Sequence, residues 1–412
     1  MISNKDSKYL ESLIKKFSSL KITKTNKYPL LEKGFNTEDI LRGIEVLLSK
    51  KLTMSDITSK FEYKFSKYVG SKYALMVNSG SSANLLASFA LVNPKKKGRL
   101  KPGDEFIIPA VCWSTSLWPL IQCGLKPQFI DVNINTYCLN EDLLHKKSKA
   151  KAIMNIHILG NSSNMDKVSE FVKSKNMFLI EDTCEALGSK FKSKYLGTFG
   201  DFGTFSFYYS HQMTSGEGGM VICKTKEDYE LLHSMRSHGW DRGLGSSKKN
   251  SFNFINSGFN LRPLDLTAAI GLSQLKRLNN MIKSRKKNRD QIINRLTNHA
   301  SWNNQYTFFN ENKNLKASWF GFPLLINKNI IYKKNKFLNY LNSNGIETRP
   351  ILSGNFLNQP SCKLFNFKYN KKDFLNSQEI EDRGFFIGLP TDQIDQNLLT
   401  FLTEKLMKIK NF

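Results

Sequence analysis

The 412-residue sequence lacks several features that by themselves assign a protein to a class. No stretch approaches about 18 continuous apolar residues, so the sequence predicts no transmembrane helix and no membrane partner. The first residues, MISNKDSKYLESLIKKF, contain no apolar core of the signal-peptide type, and we therefore expect a cytoplasmic protein. The six cysteines show no C-x-x-C spacing, which predicts neither a zinc ribbon nor a compact iron–sulfur ligand set.

Acidic residues are scarce, with 35 Asp and Glu against 61 Lys and Arg, which gives a net charge of +26. Two interpretations are open: a surface for nucleic acid or another polyanion, or a preference for lysine throughout the chain. The basic residues are scattered, as in KKK at 95–97 and KSRKKNR at 283–289, without helix-turn-helix or zinc-finger spacing. We therefore expect no nucleic-acid partner, although a basic cleft would suit a substrate that carries phosphates.

From about residue 70, short β-rich runs alternate with segments of helix length. Several of the runs are continuously apolar, which is typical of strands covered on both faces. The seven predicted strands lie at 73–80, 105–111, 128–132, 152–160, 177–183, 203–209 and 218–224. Strands joined by crossover helices predict an α/β fold with a doubly wound, mostly parallel sheet of seven strands.

The chain divides into three predicted parts, without internal repeats or a low-complexity linker. Residues 1–50 are predicted to form an N-terminal arm with helices, residues 51–296 a large α/β domain, and residues 297–412 a small α+β domain. A long amphipathic segment, about 264–296, is predicted to lead out of the large domain. The predicted strands of the small domain are the apolar runs at 320–326 and 348–352.

Three segments have the composition of a ligand site at the carboxyl ends of parallel strands. NSGSSANLLA (78–87) joins a strand to a helix, and the free N–H groups at a helix N-terminus bind phosphate well. EDTCEALGS (181–189) places Asp182 at a strand end, while the preceding glutamate points to the opposite face. SFYYSHQMTSGEGGMV (206–221) places His211 in a turn between two core strands. Taken singly, each also has an ordinary explanation: a capping serine, a solvated acid or a structural histidine.

In this order the segments resemble those of the DegT/StrS-type sugar aminotransferase family, over roughly residues 25–395. The resemblance implies the fold-type I architecture, pyridoxal phosphate or pyridoxamine phosphate as cofactor, and no metal. GFNLR (258–262) is similar to a family loop whose Asn reaches the neighbouring subunit's phosphate, which implies a homodimer with shared active sites. The serines and Asn are implied to bind phosphate, the Trp to stack on the ring, and the Asp to contact the ring nitrogen. The implied cofactor-binding residues are Ser81, Ser82, Trp113, Asp182, Ser206 and Asn260.

One position departs from the family pattern. Aminotransferases of this family carry a lysine five residues after the phosphate-binding Ser206, and that lysine attaches the cofactor covalently. Here the position holds His211, and imidazole cannot form that bond. A branch of the family, the nucleotide-sugar 3-dehydratases of 3,6-dideoxyhexose biosynthesis, carries the same change, and the chain is similar to this branch elsewhere. The implied activity is a cofactor-dependent 3-dehydratase (a lyase) for a nucleotide-linked 4-keto-6-deoxyhexose, in deoxysugar synthesis for O-antigen or polysaccharide.

The branch also implies roles for individual residues. His211 is the implied catalytic acid–base, with an unperturbed pKa of about 6.5 that suits proton transfer at neutral pH. Glutamate is the implied amino donor that recharges the cofactor. One subgroup of the branch binds an iron–sulfur cluster through clustered cysteines, and we expect no such cluster here. The implied substrate-binding residues are His238 and Arg242 in SHGWDR (237–242), Arg262 in GFNLR, and Glu347 in GIETRPILSGNFLNQP (345–360).

Two alternatives stay open at the level of sequence. The first is a sugar-nucleotide aminotransferase that works without the covalent lysine, which would yield an amino sugar instead of a deoxy ketone. The second is a non-catalytic, cofactor-binding relic in which the loss of the lysine marks the loss of catalysis.

Overall fold

The computed structural model describes residues 4–18, 26–31, 34–147, 149–244, 252–309 and 311–412. None of the helices within these ranges is long and apolar enough to span a bilayer. The α-helices are α1 (Asn4–Ser18), α2 (Thr37–Ser49), α3 (Asp56–Val69), α4 (Gly80–Val92), α5 (Ser114–Gln122), α6 (Met165–Ser174), α7 (Lys226–Arg236), α8 (Asp265–Thr297), α9 (Lys334–Ser343), α10 (Pro360–Leu364), α11 (Leu375–Arg383) and α12 (Gln396–Met407).

A seven-stranded sheet forms the centre of the molecule, and its order is β1-β9-β8-β5-β4-β2-β3. Neighbours from β8 to β3 pair in parallel, whereas β9 pairs antiparallel with both β8 and β1. The predicted doubly wound, mostly parallel sheet is therefore confirmed. Its strands are β1 (Tyr73–Val77), β2 (Glu105–Pro109), β3 (Lys126–Ile130), β4 (Ala152–Ile156), β5 (Phe178–Asp182), β8 (Phe202–Ser206) and β9 (Gly219–Cys223).

All seven strands were predicted, and each ends one to four residues before its predicted run does. The run that begins with β4 continues through Ile158–Gly160, where a 3-10 turn with Leu159 at φ +52° takes the chain out of the sheet. Ile158 and Leu159 are still buried. The apolar sequence pattern therefore continues beyond the last residue that pairs in the sheet. The candidate site lies at the carboxyl ends of three of these strands, β1, β5 and β8.

A second, antiparallel sheet follows the long helix α8, which matches the predicted segment 264–296. Two of its four strands were predicted, and the short edge strand β10 and the strand β14 were missed. The order is β10-β12-β14-β13, with strands β10 (Tyr306–Phe308), β12 (Phe322–Ile326), β13 (Thr348–Arg349) and β14 (Gly384–Ile387). A further small sheet, also missed, combines β6 (Lys190–Phe191), β7 (Lys194–Tyr195) and β11 (Leu315–Lys316).

One continuous hydrophobic core extends from the large sheet into the C-terminal sheet. The division of the chain at residues 50 and 296 therefore stays a prediction. The described part of the N-terminal arm packs on the C-terminal region, because the Tyr28 hydroxyl donates to the Gly388 carbonyl at 3.0 Å and its N–H to the Gly345 carbonyl at 2.8 Å.

Candidate active site

Three strand ends meet at one edge of the large sheet. Strands β5 and β8 are parallel neighbours, and they end at Asp182 and Ser206. Strand β1 runs in the same direction, since both it and β8 are antiparallel to β9, and it leads through the turn 78–79 into α4. The sequence segments around 78, 182 and 206 are therefore brought together, as carboxyl ends of parallel strands are in ligand-binding α/β sheets.

The carboxylate of Asp182 is fixed by three donors. Its Oδ2 accepts hydrogen bonds from Asn84 Nδ2 at 2.8 Å and from Ser116 Oγ at 2.7 Å, and its Oδ1 accepts one from the Cys184 N–H at 3.2 Å. Asn84 is oriented in turn, because its Oδ1 accepts from Thr204 Oγ1 at 2.6 Å. Only 5% of Asp182 is exposed. A carboxylate held so firmly suits a charged N–H donor of a ligand.

A cradle for an anion forms where α4 begins. Ser79 caps the helix, since its Oγ accepts from the Ser82 N–H at 3.1 Å and contacts Ser82 Oγ at 3.0 Å. Ser206 lies so close that a Cβ added to Gly80 would stand 2.5 Å from the Ser206 Cβ. Glycine at position 80 therefore lets the end of β8 approach the helix start. Hydroxyl groups and helix N–H groups converge there, as phosphate binding requires.

Trp113 supplies an uncovered aromatic ring beside this cradle. The residue immediately precedes α5, and 53% of it is exposed. Two contacts tie the start of α5 to the site: Thr115 Oγ1 lies 3.0 Å from Ser81 Oγ, and the Ser116 hydroxyl binds Asp182. Trp113 therefore adjoins residues that contact the site, and its exposed indole can stack on a planar ligand.

His211 lies in the turn that follows β8, where its N–H donates to the Tyr208 carbonyl at 3.1 Å. The imidazole meets the rings of Phe320 and Tyr208 edge to face, with centroids 5.0 Å and 6.0 Å apart. Burial and, to a smaller extent, the positive charge of Arg285 lower the pKa of His211 to about 3. The lowered pKa leaves the imidazole neutral at physiological pH, and the role of His211 as the catalytic acid–base stays a prediction.

The prediction that Glu181 and Asp182 face opposite sides of the sheet is confirmed. The carboxylate of Glu181, which is fully buried, accepts a hydrogen bond from His157 Nε2 at 3.0 Å. It also accepts from the N–H groups of Gly197, Phe199 and Gly200 at 2.6–2.9 Å. Glu181 therefore holds the loop before β8 and leaves the site to Asp182.

Sequence reasoning did not single out Glu185, a second acid in the loop that follows Asp182. Glu185 lies three residues after Asp182 in the sequence. Its Oε2 accepts a hydrogen bond from the Leu159 N–H at 2.9 Å. Burial, more than offsetting that hydrogen bond, raises the pKa of Glu185 to about 8, so the group is largely protonated at neutral pH. The available signal was the sequence EDTCEALG itself, in which a second acid follows the strand end at short spacing.

The loop GFNLR lies against the phosphate cradle. The Asn78 N–H donates to the Leu261 carbonyl at 3.1 Å, so the residues on either side of Leu261 flank the turn before α4. Asn260 pairs through its main chain with Ser237, and the side chains of Asn260 and Arg262 are exposed. In the described part of the chain, neither side chain is hydrogen-bonded to Asp182 or His211, and their predicted roles stay predictions.

The side chains of His238 and Arg242 also point to solvent. His238 adopts φ +64°, and its N–H donates to the Phe259 carbonyl at 2.7 Å, which fixes the main chain beside GFNLR. The Arg242 guanidinium stacks over the Trp240 ring at 5.0 Å from its centroid. Substrate binding by these residues stays a prediction.

Glu347 has partners within the chain. Its Oε2 accepts from the Leu30 N–H at 3.1 Å and its Oε1 from Arg349 Nη2 at 2.7 Å, so it joins the N-terminal arm to β13. These contacts assign Glu347 a structural part beside the predicted substrate contact, which stays a prediction.

Of the six cysteines, Cys184 is partly buried and the other five are buried. Among the described residues, no group of three His, Cys, Asp or Glu is placed to hold a metal ion. The expectation that no iron–sulfur cluster is bound stays a prediction.

Known proteins are similar to this chain in sequence and in fold. The GDP-4-keto-6-deoxy-D-mannose 3-dehydratase of Escherichia coli O55:H7 is 39% identical over 378 residues, which cover 88% of this chain and 95% of that protein. The solved E. coli GDP-4-keto-6-deoxy-D-mannose-3-dehydratase with bound hydrated PLP superposes with a TM-score of 0.86 at 36% identity, covering 93% of this chain and 100% of that one. A crystal structure of GDP-4-keto-6-deoxymannose-3-dehydratase with a trapped PLP-glutamate geminal diamine gives a TM-score of 0.84 at 36% identity and covers 92% of this chain and 100% of that one. Because the model of the DegT/DnrJ/EryC1/StrS aminotransferase family matches residues 35–396, the chain belongs to that family.

Proposed function

We propose that this chain is a pyridoxal- or pyridoxamine-phosphate-dependent 3-dehydratase of a nucleotide-linked 4-keto-6-deoxyhexose, with GDP-4-keto-6-deoxy-D-mannose as its substrate. The observation that carries the proposal is that His211 occupies the turn after β8, at the position of the family's anchoring lysine, while Asn84 and Ser116 fix the carboxylate of Asp182 at the end of the neighbouring strand. The names of the similar enzymes support the same reaction and the same nucleotide.

The residues of the site fit the cofactor. Asp182 offers a buried acceptor for the protonated ring nitrogen, and the uncovered indole of Trp113 offers a stacking surface. Ser206 lies against Gly80 at the start of α4, the helix that also carries Ser81 and Ser82, and the N-terminus of that helix favours a phosphate dianion. When bound, the cofactor supplies an electron sink for the bond-breaking steps.

His211 performs the proton transfers in this proposal. Its neutral ring accepts a proton from the C4′ carbon of the cofactor and returns it to the departing oxygen at C3 of the sugar. The rings of Phe320 and Tyr208 hold the imidazole in place and limit the water around it. Because imidazole cannot anchor the cofactor covalently, the cofactor is held in this proposal by non-covalent contacts alone, and glutamate restores its amine between turnovers.

Exposed cations beside the cradle suit the rest of the substrate. Arg262 flanks the residue whose carbonyl binds the turn before α4, and Arg242 belongs to the neighbouring SHGWDR segment. Guanidinium groups pair with diphosphate oxygens through two parallel hydrogen bonds. We infer that Arg242, Arg262 and His238 bind the nucleotide sugar, and that Asn260 completes the site of a second subunit in a homodimer.

The proposal is tested by incubating the purified protein and pyridoxamine phosphate with glutamate and the GDP, CDP, dTDP or UDP derivatives of 4-keto-6-deoxy sugars. Product masses are then measured. We expect a GDP-linked product lighter than the substrate by one oxygen atom, together with release of 2-oxoglutarate and ammonia. A product in which nitrogen replaces the keto oxygen would identify an aminotransferase. Unchanged substrate in all four series, with the cofactor bound, would identify a relic.

A further inference from the structure

A cavity of about 300 Å³ lies at the edge of the large sheet opposite the candidate active site. Its walls come from the residues before β1 and β8 and from the end of β9, which runs antiparallel to both strands. The proposed reaction uses the carboxyl ends of β1 and β8, so it assigns no part to this cavity. Its volume is at the lower end of the range for small-molecule sites, which suits a small ion or one group of a larger ligand.

Three lysines line this cavity: Lys72 just before β1, Lys194 in β7 and Lys224 just after β9. Two of them approach the same residue, because Lys224 Nζ donates to the Phe199 carbonyl at 2.6 Å and Lys194 Nζ lies 4.3 Å from the centroid of the Phe199 ring. Within the described ranges, none of the three lies at ion-pair distance from a carboxylate. The ammonium groups are therefore brought to one cavity without a counter-ion.

The charges around the cavity leave a positive excess. Asp201 is the acid among its lining residues, which gives three ammonium groups against one carboxylate and an excess of two positive charges. The further charges near Asp201, those of Lys96 and Asp228, form an ion pair with each other at 2.6 Å and largely cancel. Burial and the charge of Lys224 lower the pKa of Lys194, as expected where like charges are held together. A bound anion would relieve this repulsion.

One wall of the cavity is a loop that is fixed before any ligand binds. The Glu181 carboxylate accepts hydrogen bonds from three N–H groups of residues 197–200 at 2.6–2.9 Å. The Phe199 carbonyl, to which Lys224 donates, belongs to this loop. Because the loop is already ordered, binding here does not require its immobilisation.

We propose that this cavity is a binding site for a phosphate group, held by the ammonium groups of Lys72, Lys194 and Lys224. A phosphate dianion neutralises the two excess charges, and each ammonium group has N–H donors for its oxygens. Free inorganic phosphate and the terminal phosphate of a nucleotide share this chemistry. The site is independent of the proposed reaction, because it contains none of the residues assigned to the cofactor or the sugar.

Calorimetric titration of the full-length protein with inorganic phosphate, at constant ionic strength, tests the site. The protein is first loaded with pyridoxamine phosphate and freed of excess, which fills the cradle at α4 without modifying lysines. We expect one site per chain, with an affinity that falls at least about tenfold in Lys194→Gln and in Lys224→Gln but is largely kept in Lys194→Arg. Lys192→Gln is the matched control, because Lys192 lies in the turn before β7 and pairs with Asp166 at 2.6 Å.

The opposite change of charge distinguishes a binding site from a structural effect. Asp201→Asn removes the negative charge and keeps an oxygen for the Leu179 N–H, which donates to Asp201 Oδ2 at 2.8 Å. We expect phosphate to bind at least about threefold more tightly to this variant, because the repulsion between the two anions is removed. Loosened packing alone would weaken binding instead. If Asp201→Asn does not fold, the lysine variants decide the comparison.

Titration with GDP distinguishes the two sources of the phosphate group. A loss of GDP affinity in Lys194→Gln would identify a nucleotide phosphate as the ligand, and an unchanged GDP affinity would identify free phosphate. Phosphate binding that is equal in the wild type, Lys194→Gln and Lys224→Gln would overturn the inference and place the anion elsewhere. An affinity for phosphate no greater than that for chloride would also overturn it. The outcome for the proposed reaction does not alter these titrations, so the two proposals fail separately.

Discussion

At the scale of single residues, His211 offers a neutral imidazole where related aminotransferases offer a primary amine. A lysine at that position could bind the aldehyde form of the cofactor covalently, and the proton acceptor would be lost. For His211→Lys we expect a cofactor adduct that borohydride fixes irreversibly, detected by the mass of the intact protein, and at least about a hundredfold loss of dehydration. A wild-type protein that borohydride also links to its cofactor would contradict the assignment.

A second expectation at this scale concerns Glu185. Its pKa is about 8 in the folded protein, against 4.5 for an unperturbed Glu, because of burial. Between these values the folded chain retains a proton that the unfolded chain has released, so this group's contribution to stability is full below pH 4.5 and is lost as the pH rises through 8. In the wild type, this group lowers the free energy of unfolding by up to about 1 kcal/mol per pH unit between the two pKa values, and we expect Glu185→Gln to remove this decline. The free energy is measured by urea unfolding of the cofactor-free protein. Glu227→Gln, at an exposed glutamate of α7, should leave the pH dependence unchanged.

At the scale of elements, the start of α4 depends on Gly80. An alanine Cβ there would lie 2.5 Å from the Ser206 Cβ and 3.0 Å from the Cys184 Sγ, so either the helix start or the end of β8 must move. We expect Gly80→Ala to weaken binding of pyridoxal phosphate at least about tenfold, or about 1.4 kcal/mol, in a titration of the cofactor-free protein. Gly43→Ala is the control, because a Cβ there meets no atom closer than 3.5 Å. Equal affinities in the two variants would show that the cradle does not hold the phosphate.

The elements also show how far sequence reasoning reached. The seven strands and the positions of Asp182 and Ser206 could be predicted, because strands buried on both faces are continuously apolar and ligand sites form at their carboxyl ends. Strands β6, β7 and β11, of two residues each, are too short to produce a pattern. Strand β14 was missed although its residues GFFI are apolar, because a run of four does not separate a strand from a buried turn.

Arg285 illustrates a different limit. It stands in KSRKKNR, where composition alone predicts a solvated basic surface. Its burial depends on helical phase: Met281, Arg285, Asn288 and Ile292 share the buried face of α8 at spacings of three and four residues. That periodicity was present in the sequence, but a charged residue on it is ordinarily solvated, and only the fold shows that its partners are main-chain carbonyls.

At the scale of the whole molecule, the proposed homodimer requires the loop GFNLR to complete the active site of the neighbouring subunit. The loop contacts the cradle of its own chain through Leu261, yet the Asn260 side chain is exposed. If Asn260 completes a partner's site, mixing inactive His211→Ala with inactive Asn260→Ala should restore up to about a quarter of the wild-type activity, because one site in each mixed dimer is intact. No recovery, with subunit exchange verified by tagged chains, would place Asn260 in its own subunit's site.

The central claim is that a family member without the anchoring lysine removes the C3 hydroxyl of its sugar. The most direct measurement is the NMR spectrum of the product made by the wild-type protein in D2O with glutamate and the GDP-linked 4-keto-6-deoxy sugar. We expect a methylene group at C3 that carries deuterium from the solvent, next to an intact C4 ketone or its hydrate. A product that retains the C3 hydroxyl and bears an amino group and deuterium at C4 would contradict it.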